Sequence, residues 1–363
     1  MLLRTALCAG LILAGATSGR AVDVEIVGRH VAVENYCAWP NLTKLPDGTL
    51  AAVVYNKPSH AKMVGNVECW TSLDGAKWKL AGVPAPHEPD TNRMNVAGGL
   101  NARGELVSLA SGWSLGEPLA PGDLKRKLLK VQPCWSSISR DGGVTWKVNK
   151  EALPAPFPDC GPFIPFGDVI AADDGSLRAA FYFVNAKTKR NDVWMFRSAD
   201  DGATWQSHAL LAEGHNETAI FGLGQGRWLA TARRQLEGLA TDLFQSNDDG
   251  KTWTLAMPIS GEMQHPADIM RLADGRLLLV YGNRQPGKYG VLAKLSSDDG
   301  KTWTEPLAIV DDCGSRDCGY PASAQLADGT IVTAYYADKT PQFTGYQFAT
   351  VIWRVPAAPA PQK

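Results

Sequence analysis

Eight residues of types that carry chemistry recur at one kind of place along this chain, each a short distance ahead of a hairpin turn. They are Arg93 and Asn95 in TNRMNV, Asp168 in PFGDV, His215 and Glu217 in GHNETA, His265 and Asp268 in QHPAD, and Tyr320 in GYPAS; a sixth string, YCAWPNL, carries Trp39. Carboxylates and imidazoles move protons near neutral pH, and a phenol becomes a nucleophile once a base stands beside it. Taken singly, each is as well read as a satisfied core polar that fixes strand register. Taken together, they need a fold that brings six strand starts to one point.

Two interleaved repeats supply such a fold. The first reads SRDGGVTW from Ser139, SADDGATW from Ser198, SNDDGKTW from Ser246 and SSDDGKTW from Ser296, with a degenerate copy, TSLDGAKW, from Thr71. An Asp side chain accepts hydrogen bonds from amides a few residues on, a glycine such as Gly250 supplies positive φ, and a tryptophan such as Trp253 covers the turn. The second repeat is a turn followed by a short β-branched or aromatic run: LPDGTLAAVVY, NARGELVSLAS, ADDGSLRAAFY, LGQGRWLATAR, LADGRLLLVYG and LADGTIVTAYY. These are six hairpin signals. Trp146, Trp205, Trp253 and Trp303 stand 59, 48 and 50 residues apart, the length of a four-stranded propeller blade. The expectation is an all-β, six-bladed β-propeller over residues 22–356, with the inner strand of each blade delivering its first residues to the axis. An insertion after Trp113, WSLGEPLAPGDLKRKLLKVQP, is expected as a loop on the rim.

Composition excludes several partners. With 45% hydrophobic and 20% charged residues and a formal net charge of -1, the chain offers no basic surplus for nucleic acid or anionic lipid. Residues 1–21, MLLRTALCAGLILAGATSGRA, read as an export signal, and 357–363 as a Pro/Ala-rich tail. No later stretch is long and apolar enough for a bilayer, so a periplasmic or secreted protein is expected. The six cysteines Cys37, Cys69, Cys134, Cys160, Cys313 and Cys318 then suggest three local disulfides, the shortest closing CGSRDC. No CxxC pair or histidine at ligand spacing suggests a metal, and no cofactor is expected.

The eight-residue strings are those of the sialidase superfamily, and the chain resembles that family over essentially all of its expected mature length. The resemblance implies that Asp141, Asp200, Asp248 and Asp298 are structural, lying in turns between outer strands. It also implies roles for the inner-strand residues. Tyr320 matches the family's tyrosine nucleophile and Glu217 the glutamate that removes its proton. Arg233 resembles the second arginine of the carboxylate-binding triad, and Arg284 the third. The first arginine is missing: YCAWPNL places Ala38 there, followed by Trp39. The acid/base aspartate of the following loop is missing too, and NKPSHAKMVGNVE offers His60 and Glu68 instead. His60 is the replacement proton donor in this reading, while Arg93, Asp168, His215, His265 and Trp39 join Arg233 and Arg284 as substrate-binding residues.

The leading expectation is therefore a glycoside hydrolase acting on a terminal, acidic sugar of a glycan other than ordinary sialic acid. Two readings from other classes stand beside it. A polysaccharide lyase would use His215 or His265 as base and Tyr320 as acid next to a uronate carboxylate. A non-catalytic glycan-binding propeller would stack sugars on Trp39, Trp113 and Tyr335.

Overall fold

The computed structural model describes residues 24–60, 63–118, 126–236 and 238–355. The expected export signal and Pro/Ala tail lie outside these residues. All regular structure among them is β-strand, in 24 strands, and no described helix is long and apolar enough to cross a membrane.

The sheets form a propeller-like ring. Four are separate and four-stranded, running consecutively from Asn41–Lys44 to Lys79–Ala85, from His215–Gly224 to Thr254–Pro258, from Gln264–Arg271 to Leu307–Val310, and from Gly319–Gln325 through Ile331–Ala337 to Gln347–Arg354. The last gains its fourth strand from the other end of the chain. Glu25–Glu34 pairs antiparallel with Gln347–Arg354, from Glu25 opposite Arg354 to Glu34 opposite Gln347, and so closes the ring.

The remaining eight strands make one sheet rather than the two expected. Asn95–Leu100 and Ile164–Ala171, each the first strand of its own run of four, pair in parallel through Ala97, Gly98 and Gly99 opposite Gly167, Asp168 and Val169. Small residues permit this approach. A Cβ on Gly99 would stand 2.1 Å from the Val169 carbonyl oxygen.

Each unit packs on the next through apolar side chains. One cluster joins Leu50, Val54 and Leu42 of the first sheet to Val332, Ala334 and Phe348 of the last, and others link neighbouring units in turn. Burying such residues contributes about 1.5–3 kcal/mol each before entropy is counted.

The eight-residue repeats staple the third strand of a sheet to the fourth, as the sequence implies. In the copy from Ser246, Asp248 accepts from Ser246 Oγ (2.8 Å), the Thr252 amide (2.9 Å) and Thr252 Oγ1 (2.6 Å), while Trp253 Nε1 donates to the Gly250 carbonyl (2.9 Å). Gly250 has φ +73°, and a Cβ there would meet Met195 Sδ of the neighbouring unit at 2.6 Å. The degenerate copy keeps the turn without its threonine, through the Lys77 amide on Asp74 (2.9 Å).

Two expectations are corrected. The insertion after Trp113 is largely a long hairpin, not a loop: Leu106–Pro118 pairs with Arg126–Ser139, extending two blade strands outward, and only its tip lies outside the described residues. The six cysteines from Cys37 onward are free thiols. Cys37 and Cys69 sit in different apolar clusters, and Cys313 and Cys318 meet through a thiol hydrogen bond.

Candidate active site

Three inner strands begin with a β-bulge, and each bulge carries a residue singled out by the sequence. Pairing slips between His215 and Thr218, between Gln264 and Ala267, and between Gly319 and Ala322. An extra residue in one strand re-aims its side chain. Glu217, His265 and Tyr320 occupy these slips, and Tyr320 has φ +51°.

The bulges bring Tyr320 and Glu217 into contact. The Tyr320 hydroxyl donates to Glu217 Oε1 (2.6 Å), and Arg233 Nη1 donates both to Glu217 Oε2 and to the Tyr320 oxygen (3.1 Å). Tyr320 is only 6% exposed. Burial, then the Glu217 charge, pushes its phenol above the ordinary tyrosine value against the opposing pull of Arg233 and Arg284. The phenol is therefore neutral near pH 7, with an acceptor already on its proton.

Arg284 stands on the other side, its guanidinium 5.1 Å from the Tyr320 ring centroid. It donates to the Tyr336 hydroxyl (3.2 Å), which donates to Asp317 Oδ1 (2.6 Å). Asp317 also accepts from the Tyr346 hydroxyl and lies 2.9 Å from His60 Nε2 through both oxygens. Burial alone would raise the Asp317 carboxyl, but His60, Tyr336 and Tyr346 together hold it well below the usual carboxylate range.

Trp39 covers this centre, with ring centroids 5.1 Å from His60 and 5.6 Å from Tyr320. Ala38 and Trp39 have φ +89° and +58°, and Ala38 is fully buried. A side chain longer than alanine's at position 38 would have to displace its neighbours. Beneath Tyr320 a void of about 20 Å³, lined in part by Trp39, Asn41, Phe166 and Asp268, has room for roughly one water. Several polar atoms at the centre are buried without a partner among the described residues: Nε of Arg233, Nε of Arg284, Nε1 of Trp39 and both ring nitrogens of His265. His265 is 1% exposed, and burial, then the charges of Arg233 and Arg284, push its imidazole down to about 2.

Other expected residues lie apart from Tyr320. The Arg93 guanidinium is fully buried against the Trp135 ring (3.5 Å) and donates to the Pro133 carbonyl (2.7 Å) and Glu88 (3.3 Å). His215 lies 2.7 Å from the Glu213 carbonyl and 3.1 Å from Asp242, which Arg234 also clamps. Asp168 lies deeper on the axis, accepting from Asn41 Nδ2 (2.7 Å) and touching the Asp268 carboxyl; burial, then the neighbouring Asp268, raises it well above an ordinary aspartate. Glu68 holds Tyr36 (2.6 Å) and Asn56 (2.7 Å). Tyr335 packs in the core with Cys313 and Cys318.

The sequence reading missed Asp317, Tyr336 and Tyr346. Period-2 alternation could have found Tyr336, which pairs with Gly319 and so stands beside Tyr320. Nothing local marks Tyr346.

A propeller-like ring stapled by these eight-residue repeats defines a sialidase-like fold. The chain belongs to the BNR repeat-like domain family, whose profile matches residues 125–333. No curated protein matches it in sequence. Among solved structures it is similar to a protein of unknown function from Dyadobacter fermentans, with 21% identity, TM-score 0.78, and coverage of 92% of this chain and 99% of that one. It is also similar to a Hadza microbial sialidase, with 17% identity, TM-score 0.65 and coverage of 90% and 66%. A third is a Trypanosoma rangeli sialidase in complex with 2,3-difluorosialic acid as a covalent intermediate, with 16% identity, TM-score 0.65 and coverage of 88% and 54%. The chain spans about two thirds of the first sialidase and about half of the second. At these identities the likeness is one of fold.

Proposed function

We propose that the chain is an exported glycoside hydrolase that removes a terminal, acidic sugar from a glycan, with Tyr320 as nucleophile and Glu217 as its base. The contact that carries this reading is the 2.6 Å hydrogen bond from Tyr320 to Glu217, with Arg233 on both oxygens. A neutral phenol meets less repulsion than a carboxylate at an anomeric carbon that bears a carboxylate. The covalent intermediate recorded for the Trypanosoma rangeli sialidase supports a nucleophile in this fold. The bare Nε atoms of Arg233 and Arg284 suit a carboxylate, which charge-assisted hydrogen bonds hold. His60 is the proton donor and Trp39 a wall of the sugar site. We count the eight-stranded sheet as two blades, giving six, and take residues 1–21 as the export signal.

The lyase reading has less support. His215 is bound to Asp242, and an imidazole pushed down to about 2, as His265 is, holds a proton too weakly to be a general base near pH 7.

Tyr320→Phe should abolish turnover of the sugar that wild type accepts, with an unchanged circular dichroism spectrum. Undiminished turnover would remove the nucleophile. Sialosides, uronic-acid glycans and neutral terminal sugars form the substrate panel, and an ultraviolet-absorbing unsaturated product would reinstate the lyase.

A further inference from the structure

We infer that Asp317 is the positioning residue of a proton-donating His60–Asp317 dyad, and that it ties this dyad to Arg284. The inference rests on the reading of Tyr320 and Glu217 as the reaction centre.

Asp317 is a junction of separate elements. His60 comes from the segment after Leu50–Tyr55, Tyr336 from Ile331–Ala337, and Tyr346 from the residue before Gln347–Arg354, yet all three converge on one carboxylate. The Asp317 amide donates to Ser315 Oγ (3.1 Å), which fixes the turn just ahead of Tyr320. A carboxylate that satisfies two phenols is adequate as a structural feature, and it would need no imidazole. The imidazole sits symmetrically, 2.9 Å from each Asp317 oxygen, and lies tilted against Trp39, which in turn lies against Tyr320. With Nε2 taken by Asp317, Nδ1 is the nitrogen left to face a leaving oxygen. Through the Tyr336 hydroxyl, the same carboxylate also orients Arg284.

The step balances without a further reactant. The Tyr320 oxygen bonds to the anomeric carbon as its proton passes to Glu217, the glycosidic C–O bond breaks, and the leaving oxygen takes the Nδ1 proton of the imidazolium. Neutral His60 then takes a proton from the water that displaces Tyr320, and the phenolate recovers its proton from Glu217.

A proton donor matters most for a poor leaving group, so kcat/KM is measured on two glycosides of the accepted sugar, one with an alkyl alcohol and one with dinitrophenol. Asp317→Asn should lose about 10²-fold on the alkyl glycoside and at least about tenfold less on the activated one. His60→Gln should show the same contrast, the double variant should lose no more than either single one, and Asp317→Glu should recover part of the loss. Equal losses on both glycosides would overturn the dyad. Nitrogen-15 histidine spectra decide the pairing without turnover: a protected His60 ring N–H signal in wild type should vanish in Asp317→Asn, and an unchanged spectrum overturns it. If Tyr320→Phe remains fully active, the reaction-centre reading fails, while the histidine spectrum still decides the pairing.

Discussion

The Tyr320 hydroxyl points at Glu217 Oε1 from 2.6 Å, across 103 residues of sequence, in a pocket where Tyr320 is 6% exposed. The proposed nucleophile and its proposed base are thus already in hydrogen-bond contact, and Arg233 holds the glutamate in place.

Glu217→Gln preserves the shape of this contact and removes the base. Turnover is expected to fall by about 10²–10⁴-fold. The partly buried Arg233 also loses its counter-charge, at a cost of about 2 kcal/mol. Steady-state kinetics and denaturant unfolding measure the two effects; unchanged kcat would remove Glu217 as the base.

His265 makes stability depend on pH. Its folded imidazole is pushed down to about 2 from an ordinary value of 6.5, by burial first and then by Arg233 and Arg284. The unfolded chain therefore binds a proton below about pH 6.5 that the fold refuses. The associated stability is complete above that pH and declines by roughly 1.4 kcal/mol per unit as pH falls below it. His265→Gln should flatten the decline between pH 6.5 and 5 in urea unfolding curves. A wild-type slope retained in the variant would place the proton elsewhere.

His215→Ala should separate the two histidines. Losing the contacts to Asp242 and Glu213 should cost about 2 kcal/mol of stability and leave kcat/KM within a factor of about two. A large fall in kcat with stability intact would return His215 to the catalytic set.

Trp39→Ala should uncover the nucleophile, because the indole lies 5.6 Å from the Tyr320 ring. Acetylation of Tyr320 by N-acetylimidazole, read by peptide mass spectrometry, is expected to speed up several-fold. An unchanged rate would mean that Trp39 does not control access.

The all-β class, the hairpins and the structural role of the Asp boxes were legible in the sequence because their interactions are local. Asp248 reaches partners no more than four residues away, so a short string determines the turn. Placing Glu217 and Tyr320 at strand starts followed from the same periodicity. The insertion misled because its Pro and Gly residues outweighed the strand pattern around them. Arg93 and His215 misled because a strand start does not reveal which way a side chain turns, and each found a partner within its own neighbourhood. The residues that complete the site meet across long separations, 87 residues for Arg233 with Tyr320 and 257 for His60 with Asp317. Those contacts exist only once the ring closes and the bulges re-aim the strand starts. Local turn chemistry was thus written in the sequence, whereas the gathering of donors on Asp317 was decided by tertiary structure alone.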